Sequence, residues 1–107
     1  MVFVETSLFS RSLGDYLSDD EYRLVQNHLI RHPAAGDVIR GSGGVRKVRW
    51  ASRGKGKSGG VRVIYYWAKA DEQIFFLTIY GKGEKENLSA ADLKRVVKLL
   101  EEMTNDD

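Results

Sequence analysis

Val61-Arg62-Val63-Ile64-Tyr65-Tyr66-Trp67-Ala68 is dense in β-branched and aromatic residues and follows a pair of glycines, which predicts a strand. Alternation sends Arg62, Ile64 and Tyr66 to one face and Val61, Val63, Tyr65 and Trp67 to the other, the more apolar one. The same period of two runs through Val45 to Ala51 before it and Gln73 to Tyr80 after it. Ser52 to Gly60 joins the first two of these segments, and a turn around Ala70-Asp71-Glu72 joins the last two. Connections this short favour antiparallel hairpins.

Outward from this three-stranded unit the period becomes helical. Ser18-Asp19-Asp20-Glu21 has the form of a capping box, Tyr22, Val25 and Leu29 follow on one helix face, and Pro33 ends the run. Val2 to Glu5 is expected as a first strand and Ser7 to Leu13 as a short helix ending near Gly14. A last helix starts at Ser89, with Asp92 three residues on, and buries Leu93, Val96, Val97, Leu100 and Met103. The expected fold is α+β in the order βααβββα, an antiparallel sheet packed with helices, in a single domain over residues 1–107.

The 107 residues suffice for one core, and 42% hydrophobic with 30% charged residues describes an ordinary globular chain. With no cysteine there is neither a disulfide framework nor a thiolate metal site. The longest apolar run, Val63 to Ala68, is too short to cross a bilayer, and Glu5 closes the apolar start Met1-Val2-Phe3-Val4, so a soluble, cytoplasmic chain without membrane partners is expected.

Charge is distributed unevenly. No Asp or Glu occurs between Asp37 and Asp71, a window that holds nine of the 17 basic residues, leaving eight to face all 15 acids elsewhere. Such polarity points to a polyanion as partner. Within the window, Arg53, Lys55 and Lys57 alternate with glycines whose missing side chains let a phosphate approach the backbone. The pattern lacks the spacing and the strand-to-helix context of a nucleotide-hydrolase phosphate loop. Arg62, just past this segment, adds a planar guanidinium able to hold a phosphate through two parallel hydrogen bonds. Arg46, Lys47 and Arg49 extend the basic surface, and Tyr66 and Trp50 are candidates to stack on bases. After the third strand, Tyr80, Lys82 and Glu84 supply a phenol, a cation and a carboxylate. His28 and His32 have the spacing of a helical metal pair but lack a third ligand, so neither a metal nor a cofactor is expected.

Gly36-Asp37-Val38-Ile39, Gly43-Gly44-Val45-Arg46-Lys47-Val48-Arg49, Gly54-Lys55-Gly56-Lys57, Gly59-Gly60-Val61-Arg62-Val63-Ile64-Tyr65-Tyr66 and Tyr80-Gly81-Lys82, with Leu17-Ser18-Asp19 opening the second helix, together resemble the HigB-type branch of the RelE/ParE toxin superfamily. The resemblance covers nearly the whole chain. It implies a toxin of a type II toxin–antitoxin pair, an endoribonuclease that enters the ribosomal A site and cuts translated mRNA without a metal. The cut proceeds by attack of the ribose 2′-hydroxyl on the neighbouring phosphate. The family's basic catalytic positions fall on Arg53, Lys55, Lys57 and Arg62. Crowded cations favour a neutral lysine, which suits Lys55 to take the 2′-proton while arginine stabilises the phosphorane. Relatives often carry a further arginine and an aromatic or histidine after the last strand, where this chain has Lys82, Gly83 and Leu88. That leaves Lys82, Glu84 and Tyr80 as candidates for the general acid. The implied partners are mRNA, the ribosome and a helix-turn-helix antitoxin of the HigA type. A gyrase-inhibiting toxin of the ParE-like branch and a non-catalytic nucleic-acid-binding module are the alternatives.

Overall fold

The alternating segments pair as one sheet. In the computed structural model, which describes residues 1–51, 60–85 and 87–104, the strands are β1 (Val2–Glu5), β2 (Asp37–Val38), β3 (Arg46–Trp50), β4 (Val61–Ala68) and β5 (Gln73–Gly81). Their order across the sheet is β1-β5-β4-β3-β2. The helices are α1 (Ser7–Tyr16), α2 (Asp19–Arg31) and α3 (Ala90–Thr104), with a 3-10 turn at Lys69–Asp71. The expected α+β class and βααβββα succession hold, with three differences. The two-residue β2 adds an edge strand paired antiparallel to β3. β1 pairs parallel to β5, so the sheet is antiparallel except at that edge. α1 continues past Gly14 to Tyr16 because Gly14 lies exposed, where nothing forces the helix to stop.

Each helix begins where a side-chain oxygen meets free backbone donors. Ser18 and Glu21 form the full capping box of α2. Ser89 Oγ accepts from the Asp92 N–H at 3.0 Å at the start of α3. The Thr6 hydroxyl caps α1 by accepting from the Phe9 N–H at 2.9 Å and donates to the Leu77 carbonyl at 2.7 Å.

Packing follows the strand alternation. Val61, Val63 and Tyr65 of β4 join Phe9, Val25 and Leu29 in a core beneath α1 and α2. Ile64 joins Val45, Leu77, Val96 and Leu100 in a second core beneath α3. With β4 central and covered on both faces, its first five residues are all buried, Arg62 included.

The β4–β5 ladder contains a bulge. Tyr65 pairs with Phe76 and Ile64 with Thr78, leaving Leu77 without an opposite residue. The side-chain order shifts there by one: Ile74 and Phe76 face α1 and α2, and after the bulge Ile79 does so as well. Tyr80 consequently packs on the α3 side, opposite Arg62. An unbroken alternation through β5 would have put Tyr80 on the other face.

Candidate active site

Ladder register brings the basic residues of β3 and β4 side by side. Arg49 lies opposite Arg62, which lies opposite Tyr80; two rungs away on the same face, Lys47 lies opposite Ile64. All share the face that carries α3. Like charges opposed across strands repel; the Arg49–Arg62–Tyr80 rung carries no acid, while on the Lys47 rung Asp37 of β2 lies opposite Lys47. Arg62 is only 7% exposed, and its Nη1 reaches the Val61 carbonyl at 3.4 Å. Burial holds a guanidinium in a fixed direction, the condition for orienting a phosphate rather than merely attracting it.

The segment between β5 and α3 folds over these rungs. Lys47 Nζ donates to Asn87 Oδ1 at 2.8 Å. Lys85 Nζ stands 5.2 Å from the centre of the Tyr80 ring and donates to Asp92 Oδ2 at 3.0 Å. The Lys85 and Ser89 hydrogen bonds hold the Asp92 carboxyl below its ordinary pKa. Tyr80 is 3% exposed, and its hydroxyl has no hydrogen-bond partner among the described residues. Burial raises its pKa, opposed by the neighbouring Arg62 charge. Lys82 is exposed on the turn after β5, which closes through its N–H to the Gly60 carbonyl at 3.2 Å. Glu84 accepts from the Gly81 N–H at 2.9 Å and from the Tyr16 hydroxyl at the end of α1.

Two RNA-contact candidates stand apart from this group. Arg46 pairs with Tyr65 on the α1–α2 side, where its Nη1 donates to the Gly36 carbonyl at 2.7 Å and the Ala34 carbonyl at 3.2 Å. It braces the turn that follows α2. Tyr66 shares the face of Arg62 but sits beyond Ile64, half-buried in the second core and close under Gly44. Arg53, Lys55 and Lys57 lie outside the described residues. Among the described residues no three His, Cys, Asp or Glu side chains group to hold a metal.

Residues 16–106 match the model of the family described as "RelE toxin of RelE / RelB toxin-antitoxin system". The chain belongs to the RelE toxin family. Its fold is similar to that of the free E. coli toxin RelE, solved as a mutant with two arginines replaced by alanine. The TM-score is 0.54 at 18% identity, over 88% of this chain and 95% of that one. As a RelE-family toxin it has an antitoxin as its counterpart.

Sequence reading missed three residues that pack into this candidate site: Tyr16, Lys85 and Asn87. Tyr16 gives no local signal, because its partner Glu84 is 68 residues away. The spacing of Glu84 three residues after Gly81, which suits a side chain folding back on a turn, was the available clue.

Proposed function

We propose that this toxin is a HigB-type, ribosome-dependent endoribonuclease of the cytoplasm, cutting translated mRNA in the A site without metal or cofactor. A HigA-type helix-turn-helix antitoxin restrains it. The observation that carries this reading is the Arg49–Arg62 cross-strand pair, with Arg62 buried on the face that holds Lys47 and Tyr80. A phosphate between such groups relieves their repulsion and gains two charge-assisted contacts.

In the reaction the 2′-oxygen bonds to phosphorus, the bond from phosphorus to the 5′-oxygen breaks, and a 2′,3′-cyclic phosphate and a 5′-hydroxyl result. Lys55 takes the 2′-proton. Arg62, with Arg53 and Lys57, stabilises the charge on the phosphorane. Of the three candidates for the acid, Tyr80 is buried with its proton held tightly and Glu84 is engaged with Tyr16 and Gly81. Lys82, exposed and cationic, protonates the leaving oxygen.

Induction of the toxin alone in a bacterium is expected to arrest translation, with primer extension showing new 5′ ends inside reading frames. Arg62→Ala abolishes both, since removing one such electrostatic contact costs about 3 kcal/mol, roughly a hundredfold in rate. Arg62→Lys restores only part, because an ammonium lacks the planar fork. Intact translation with inhibited DNA supercoiling would move the protein to the gyrase-directed branch.

A further inference from the structure

The face where α2 borders β3 carries a second feature, outside the rungs of Arg62. Leu24, His28 and His32 repeat every four residues along α2, covering about 12 Å of helix at its rise per residue. The His28 ring lies 5.4 Å from that of His32 and 5.5 Å from Trp50, tilted in both cases. These groups, with Asn27 and Arg31, line an open hollow of about 380 Å³. A neighbouring hollow shares Leu24 and Trp50 and continues to Arg49 and Ala51. The surface therefore lies on the α1–α2 side of the sheet, where Trp50 packs, and reaches Arg49, the neighbouring residue of β3 whose cross-strand partner on the α3 side is Arg62.

Its composition is specific. Leu24 is 56% exposed, an apolar side chain with no cover among the described residues. Trp50 is half-buried, leaving part of its ring open, and Arg31, His32 and Arg49 are exposed around it. Among the described residues the one acid lining either hollow is Glu21, whose carboxylate already accepts from the Ser18 N–H. An aromatic and apolar floor rimmed by cations is how proteins hold single-stranded nucleic acid, with bases on rings and phosphates on cations.

We infer that Trp50, His28 and His32, flanked by Arg31 and Arg49, form a stacking platform for unpaired nucleobases of single-stranded RNA. The inference rests on the nuclease reading in taking RNA as the ligand, and it assigns bases next to the reacting phosphate to this surface. Arg62 grips the phosphate on the α3 side of the sheet; the platform grips the strand where it continues past Arg49 to the α1–α2 side. Stacking is indifferent to base identity, so the platform adds affinity and direction more than sequence choice.

The test uses Trp67→Phe, which leaves Trp50 as the sole tryptophan. Titration with a short single-stranded RNA is expected to quench Trp50 emission, whereas an abasic oligomer of equal length, with the same phosphates, leaves it almost unchanged. Adding His32→Ala, an exposed position, raises the Kd about tenfold, the range found for removing one stacking partner. In unmodified protein, photocrosslinking to RNA containing 4-thiouridine is expected to mark the peptides holding Leu24–His32 and Trp50. Equal quenching by both oligomers, no quenching by either, or crosslinks confined to other surfaces overturns the platform. So does quenching by an acidic peptide but not by RNA, which marks a protein-docking face. The same titration in an Arg62→Ala background separates the two readings. Quenching that persists while ribosomal cleavage is absent even in the parent protein refutes the nuclease and leaves the platform standing. Cleavage with no quenching refutes the platform alone.

Discussion

Tyr16 acts on the site at a distance. Its hydroxyl donates to Glu84, and Glu84 in turn receives the Gly81 N–H, so the end of α1 is tied to the turn that carries Lys82. Burial first, and then the Glu84 bond, push the Tyr16 pKa up to about 12. A group with a raised pKa contributes stability that is complete below its unfolded value, near 10 for tyrosine, and is lost as pH rises through the folded value. Tyr16→Phe is expected to cost about 1 kcal/mol at neutral pH. The gap between parent and variant should close between pH 10 and about 12, as read by urea unfolding at a series of pH values. Cleavage on ribosomes should fall severalfold in the same variant, because Lys82 loses its anchorage. A variant with unchanged cleavage would remove the turn from the mechanism.

At the scale of elements, the entry of β4 beside β3 sets the separation of Arg49 and Arg62. Gly60 has φ +77°, and a Cβ there would stand 2.3 Å from the Trp50 carbonyl oxygen. Gly60→Ala therefore combines an unfavourable backbone region with a backbone clash, and either the turn or the β3–β4 pairing must yield. The expected cost exceeds about 2 kcal/mol, seen as a lower urea midpoint together with reduced activity. Gly83→Ala is the matched control, because a Cβ at Gly83 meets nothing within 4 Å. Its unfolding free energy should stay within about 0.5 kcal/mol of the parent. Equal stability of the two variants would show that the β4 entry tolerates displacement.

For the whole molecule, charge separation matters more than net charge. The chain carries only +2 overall, yet the window between Asp37 and Asp71 contains no acid. Phosphate contacts of this kind bind any RNA, and their affinity falls steeply with salt. In the proposed ribosome-dependent reaction, alignment of substrate by the ribosome is what would supply the rest, worth several kcal/mol in oriented reactions. Labelled mRNA incubated with purified protein at physiological salt is expected to survive, and the same mRNA on programmed ribosomes to be cut. Efficient metal-dependent cleavage of naked RNA would contradict the mechanism.

The strands β3 to β5, the Ser18–Glu21 box, the final helix and the basic window were legible in the chain itself. Each depends on period, capping chemistry or composition within a few residues. Arg62 and its face were legible for the same reason. Tertiary structure alone decided that β1 runs parallel to β5, that Arg46 is drawn to the carbonyls behind Tyr65, and that Tyr16 holds Glu84. It also decided the face of Tyr80. Strict alternation along β5 is a local rule, but the extra residue at Leu77 is set by the register between two strands and by the Thr6 hydroxyl taking the Leu77 carbonyl. A shift of one residue reverses every side chain beyond it, so the pairing of strands, which no single segment encodes, put Tyr80 beside Arg62.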